Sequence, residues 1–438
     1  MARGDIKVRD RNAIVGALRA GVVPRLGLQH VQVGRAREIE QIVKDIRNLS
    51  QGGSTVRFVI GDYGSGKTFF LNLARLVALE TKLVTAHADL GPNQRLFASG
   101  GEARGLYAVL MTNLATRSKP EGGALTSIIE RFIGEARRHA GTEDAVGDEI
   151  EKRLAVLQDM RAGYDFATVI RRYWEAFEAG DDRLKDAALR WLRGEYALKT
   201  QAKSDLGVRV IIDDDTVYDH LKLMSRFVRL AGYDGFLVVL DEMVNLHKLV
   251  NATSRNANYE QILRIVNDLL QGRAEHFGVL FGGTPEFLLD PRRGLYSYEA
   301  LRSRLAENSF VKHGLVDFSG PVIRLPALTT EELYVLLTKL RHVFAQGNPD
   351  DYPVPDEALH AFMAHCQQKI GEAYFRTPRN TIKTFLDLLA VLDQNPGTAW
   401  DDLIERTEIA PDRGPLNADP KGAEGPATSD EGFAEFRL

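Results

Sequence analysis

The sequence predicts an α/β fold built on a mainly parallel sheet with helices around it. Three observations support this. Strand-like and helix-like segments alternate along most of the 438 residues. Several strand candidates are short, unbroken apolar runs, as strands covered on both faces require. A glycine-rich turn, Gly61-Asp62-Tyr63-Gly64-Ser65-Gly66, stands between one such run and a helical pattern, which gives a strand–turn–helix unit.

Taken in order, Val31-Gln32-Val33-Gly34-Arg35 leads into a helix from about Arg37 to Asn48, and the first strand covers 56–60. Further strands are expected at 83–89, 236–241, 277–283 and 322–326. Residues 91–234 form a long insertion. Its apolar spacing is helical, as in Leu125-Thr126-Ser127-Ile128-Ile129-Glu130-Arg131-Phe132-Ile133. Another helix is expected over 256–274, and from Thr329 onward only helices follow, near 330–346, 355–369 and 378–394. The chain thus divides into a core over 1–328 that carries the insertion, a helical lid over 329–408, and a tail over 409–438 of disorder-type composition.

Composition narrows the function. Apolar content of 44% and charged content of 26% are ordinary for a water-soluble protein that buries a large core. The net charge of −4 gives no whole-chain basicity of the kind that announces nucleic-acid binding, and a folded basic patch stays open. The single cysteine, Cys366, forms no intramolecular disulfide and reads as a packing residue. No histidine–cysteine cluster has metal-ligand spacing. The first residues are charged rather than apolar, and no apolar run reaches membrane-spanning length, so the expected location is the cytoplasm.

The strongest chemical signal is Gly61-Asp62-Tyr63-Gly64-Ser65-Gly66-Lys67-Thr68, a complete phosphate-binding P-loop followed by Phe69. Backbone N–H groups of such a turn point at phosphate oxygens, and the following helix adds its positive dipole end. Lys67 would bridge the β- and γ-phosphates of ATP, and the Thr68 hydroxyl would ligate Mg²⁺. A second element supports this. Gly235-Phe236-Leu237-Val238-Val239-Leu240-Asp241-Glu242 is an apolar strand ending in two acids. Asp241 is placed to hold Mg²⁺, and Glu242 to orient or deprotonate an attacking water. No Asn-Lys-x-Asp segment for reading guanine occurs, which points to ATP rather than GTP.

Four further segments complete the reading. Thr284 ends the fourth strand, where additional-strand P-loop ATPases place a polar residue against the γ-phosphate or the attacking water; the alternative is a turn cap before Pro285. Tyr298-Glu299-Ala300-Leu301-Arg302-Ser303-Arg304-Leu305 resembles the AAA+ segment that supplies an arginine finger to a neighbouring subunit. Arg304 is the first candidate and Arg302 the second, with an intrachain contact as the alternative. Thr377 is expected to cap, and Pro378 to open, a helix whose first turn projects Arg379, where AAA+ lids place an arginine that meets the γ-phosphate; the alternative is a structural salt bridge. Val33, Gly34 and Arg35 resemble the stretch that packs on adenine in origin-recognition-type AAA+ proteins; the alternative is a turn leading into a surface helix.

Together the P-loop with Phe69-Phe70, Gly232-Tyr233-Asp234-Gly235, Asp241-Glu242, Gly282-Gly283-Thr284-Pro285-Glu286-Phe287, Arg293-Gly294-Leu295-Tyr296-Ser297-Tyr298-Glu299-Ala300-Leu301 and Arg376-Thr377-Pro378-Arg379-Asn380-Thr381 resemble the ATP-binding protein family of BREX phage-defence systems, the BrxD-like group of AAA+ ATPases. Arg190-Trp191-Leu192-Arg193-Gly194 is the most recognisable piece of the insertion, and the likeness runs from about residue 10 to about residue 405. The resemblance implies a P-loop, AAA+-like core, ATP and Mg²⁺ as cofactors, and ATP sites between subunits of a homo-oligomer. It also implies a DNA-associated partner such as a helicase, which the chain would remodel or load. The rival reading is a slow-turnover signalling switch or regulatory ATP-binding module, which shares every motif except a working finger in trans.

Overall fold

The computed structural model describes residues 6–308, 310–311 and 317–409. The expected tail lies outside them except for Ile409, which is buried among the C-terminal helices rather than free of them. All five expected strands form: β1 Ser54–Ile60, β2 Val84–Asp89, β3 Phe236–Asp241, β4 Phe277–Gly283 and β5 Val322–Arg324. They make one sheet in the order β2-β3-β4-β1-β5, and every pairing is parallel. The unbroken apolar runs have the cause assigned to them. In β3 and β4 every residue is buried, because helices cover both faces of the sheet.

Alternate strand residues feed two different cores, as the two-residue period of a strand requires. On one face Val59, Leu237, Val239, Leu280 and Ile323 pack under helices Ala36–Ser50 and Lys67–Glu80. On the other, Phe58, Phe236, Phe277 and Phe281 meet the long helical insertion and the helix Ala252–Leu270. The insertion is therefore a layer of the fold and not an appendage. Trp191 lies at its centre, 1% exposed, with its indole N–H donating to the Val210 carbonyl at 2.9 Å.

A third core gathers the C-terminal helices Thr330–Phe344, Asp356–Ile370 and Arg379–Gln394. Cys366 is fully buried there, in keeping with a packing role, and burial holds its thiol at about 12. The helix Val8–Arg19, grouped by sequence with residues 1–328, contributes Ile14 and Val15 to this same core. Its Arg19 pairs with Asp387 at 2.7 Å. The short apolar run Ala13-Ile14-Val15 with Leu18 gave no sign of which core it would join. Thr377 also departs from expectation. The preceding residues Ala373–Arg376 already form a helical turn, so its hydroxyl donates back to the Ala373 carbonyl at 3.0 Å and Pro378 takes the cap position. Among the described residues no helix is long and apolar enough to cross a membrane.

One charged residue interrupts the apolar pattern of β1. Arg57 is buried, and its Nε and one terminal nitrogen each donate to a carboxylate oxygen of Asp45 at 2.7 Å. It also donates to the carbonyls of Phe318, at 2.8 Å, and Gly320. This bidentate pair ties the helix Ala36–Ser50 and the chain entering β5 to the strand that ends at the glycine-rich turn. Asp45→Ala should cost about 3–5 kcal/mol, because it leaves a buried guanidinium unpaired. Replacing the pair together, Asp45→Leu with Arg57→Met, should cost less than the single change. Urea denaturation measures both; equal losses would show that the pair acts through packing alone.

Candidate functional site

The register of the sheet sets the site. Ile60 pairs with Gly283, Leu240 with Phe281 and Asp89 with Asp241, so the carboxyl ends of β1 to β4 come level. The glycine-rich turn leaves β1 at that level. Gly66 has φ +81°, a left-handed conformation that glycine adopts without penalty, and directly precedes the helix Lys67–Glu80. The Thr68 hydroxyl donates to Oδ2 of Asp241 at 2.7 Å, and Oδ1 of Asp241 accepts the Glu242 amide at 2.8 Å. The adjacent position in β4 must be glycine. A Cβ on Gly282 would collide with the Asp241 carboxylate and come 2.6 Å from Leu71 Cδ1.

A cavity of about 380 Å³ opens above these strand ends. Tyr63 through Phe69 form its floor, and Asp89, Asp241 and Glu242 its acidic end. The opposite wall is apolar. Val22, Val23, Val31 and Val33 come from the N-terminal segment, and Leu336 and Ile382 from the C-terminal helices. Arg379 closes the top. It donates to the Tyr63 hydroxyl at 2.7 Å and lies over that ring at 5.2 Å. Arg35 reaches the Ser65 carbonyl from the side and donates to the Pro326 carbonyl at 3.2 Å, joining the turn to the chain that leaves β5.

Electrostatics follow from burial. Lys67 donates to the carbonyls of Gly61 at 2.9 Å and Asp62 at 2.8 Å, and burial lowers its pKa against the pull of Asp241 and Glu242. Glu242 is raised, first by burial and then by the charges of Asp241 and Asp89. Asp89 is raised in the same way, by burial and Asp241. Burial also lowers Arg35. Two hydroxyls of the site, Ser65 Oγ and Thr284 Oγ1, are buried without a partner among the described residues.

The sequence-predicted residues thus divide. Val33, Arg35, Tyr63, Gly64, Ser65, Gly66, Lys67, Thr68, Phe69, Asp241, Glu242 and Arg379 line one cavity. Gly61 and Asp62 stand just behind it and hold Lys67. Gly34 packs instead on Glu332 of the helix Thr330–Phe344. Thr284 follows β4, the strand beside β1 as expected. Arg304 is elsewhere: it donates to Asn267 Oδ1 at 2.5 Å and to the Ala300 carbonyl at 2.7 Å. Arg302 is exposed beside Glu299 at 3.8 Å. Sequence reasoning missed Asp89 and, apart from Val33, the apolar wall. The Gly-Val-Val-Pro stretch at 21–24 carried the signal, as an apolar pair in a short connection between two helices.

The parallel α/β sheet, the glycine-rich turn at the end of β1 and the acidic strand end facing it have the features of a nucleotide-binding protein. Comparison with models of protein families matches BREX system ATP-binding protein BrxC/D over residues 6–408, and the chain belongs to that family. A search of curated proteins finds no match.

Glu242 has φ +57°, a left-handed conformation that a side chain disfavours. Strain of this kind costs about 1–3 kcal/mol and collects at functional sites. Glu242→Gly should therefore raise stability by about 1 kcal/mol. A melting temperature that falls would show that the carboxylate holds the turn together.

Proposed function

We propose that this chain is an AAA+-type ATP hydrolase, with a P-loop core over 1–328 and a lid over 329–408 that closes on ATP and Mg²⁺. The observation that carries the reading is the hydrogen bond from Thr68 to Asp241, with Lys67 and Glu242 lining the same cavity. The residues suit the ligand. The donor turn is open to the cavity, the wall across from it is apolar enough for a base, and Ser65 and Thr284 keep unpartnered hydroxyls. Thr68 and Asp241 are the residues that would hold Mg²⁺, which when bound spreads the charge of the phosphates.

Each residue then has one task. Lys67 exchanges two backbone carbonyls for phosphate oxygens. Glu242, a carboxylate with raised proton affinity, accepts the proton of a positioned water or orients it. The Thr284 hydroxyl donates toward the γ-phosphate or that water. Arg379 turns from Tyr63 to the γ-phosphate and so reports ATP to the lid. Val33 and Arg35 flank the base end, although Arg35 holds the turn itself through Ser65. By family membership the chain is a BREX system ATP-binding protein, and the reaction would serve phage defence. There it would remodel or load a DNA-associated partner such as a helicase, with the chain assembled as a homo-oligomer.

Release of labelled phosphate from ATP tests the chemistry. Lys67→Ala should lose ATP binding. Glu242→Gln should keep binding and lose about 10²–10⁴-fold in turnover, the scale of one catalytic base. Because its pKa is raised, wild-type turnover should fall on acidification at a pH above the ordinary glutamate value of about 4.3. Wild-type turnover by Glu242→Gln would reject the assignment.

A slow-turnover switch is the second reading. It is favoured by Arg304 being engaged within its own chain. If Arg304 instead acts in trans, Arg304→Ala should bind ATP and lose about 10³-fold in turnover. Mixing it with Lys67→Ala should restore part of the rate at interfaces that pair an intact loop with an intact arginine. Mixed oligomers that recover nothing would favour the switch.

A further inference from the structure

A second, smaller cavity of about 20 Å³ lies where the far half of the helix Lys67–Glu80 meets β2. Arg25, Asn72, Arg75, His87 and Glu121 give it a polar wall. Arg75 is only 9% exposed. It donates to the neutral Oδ1 of Asn72 at 3.1 Å, while its Nε is buried without a partner among the described residues. Nδ1 of His87 is buried without one as well. Glu121, the acid that acts on Arg75, is drawn at 3.6 Å to Arg25, a residue open to solvent.

The charge balance here is incomplete. A buried guanidinium is normally paired with a carboxylate, because an unpaired one is strongly disfavoured. Here burial holds Arg75 down at about 10, with the like charge of Arg25 adding to the effect. His87 is pulled to about 4 by burial and then by both arginines, so at neutral pH its ring is uncharged and can still present an N–H. A water molecule needs about 10–15 Å³ of such space, so the cavity takes one atom of that size.

We propose that this cavity binds a small anion, either chloride or a single oxygen of a phosphate group, held by Arg75 and Arg25 with the His87 N–H beside them. Glu121 then competes with the ligand for the same cations. The site is separate from the glycine-rich turn and does not depend on the nucleotide reading.

Thermal melting of the full chain tests the proposal. Chloride replaces gluconate at constant ionic strength in one arm, and inorganic phosphate is added in the other. Both arms use the Lys67→Ala background, which removes phosphate capture by the turn. The melting temperature should rise saturably, by about 2 °C at ten times the Kd. A response to chloride assigns a halide site, and one to phosphate alone assigns an oxyanion site. Glu121→Gln should tighten the anion about tenfold, the scale of removing one nearby like charge. Arg75→Met should abolish the response. Arg25→Ala, an exposed change, should weaken it and serves if Arg75→Met does not fold. A rise that persists unchanged in the arginine variants is general salt stabilisation and overturns the site. So does the absence of a saturable response to either anion, which leaves a buried water as the occupant.

Discussion

The hydrogen bond from Thr68 to Asp241 joins the helix after the glycine-rich turn to the third strand. It forms because the strands end level. β1 and β3 are not neighbours; β4 lies between them, and it carries glycine where the Asp241 carboxylate needs room. The strand order, one glycine and one hydroxyl therefore fix the distance between the phosphate-type turn and the acidic pair. The buried Arg57–Asp45 pair anchors β1 from below, so the turn rests on a strand that is held on its edges and on one face. Strain at Glu242 is sustained by that support.

The upper half of the cavity is built differently. It comes from the C-terminal helices and the N-terminal helix packed with them, and it meets the turn through Tyr63 and Arg379 and through Arg35. These contacts are hydrogen bonds from cations to neutral oxygens, each weaker than a buried ion pair. An anionic ligand in the cavity would offer both arginines a stronger partner. Such a cavity can respond to its contents, because one wall is fixed by the sheet and the other is held by exchangeable contacts.

Much of this was legible in the residues. β3 and β4 were readable because parallel strands covered on both faces are unbroken apolar runs, and the turn because its glycines and Lys67-Thr68 have few other uses. Other features left no local signal. The helix Val8–Arg19 reads as a surface helix, since Ile14, Val15 and Leu18 alone carry it into the core of the C-terminal helices among its larger apolar residues. Thr377 has the type of a helix cap, but the turn before it claims its hydroxyl. Arg57 was lost inside an apolar run, because its partner Asp45 is twelve residues away on a helix. Asp89 needed the register with Asp241 before its acidity meant anything. The cavity wall is assembled from segments far apart in sequence, and only packing brings them together.

A structure of the full chain with Mg²⁺ and a non-hydrolysable ATP analogue tests the central claim most directly. The account predicts phosphates within hydrogen-bond distance of the Gly64–Lys67 amides and of Lys67 Nζ. It also predicts the base between Val31, Val33 and Ile382, with Arg379 turned from Tyr63 toward the terminal phosphate. A nucleotide bound elsewhere, or a base that leaves the apolar wall empty, would contradict it.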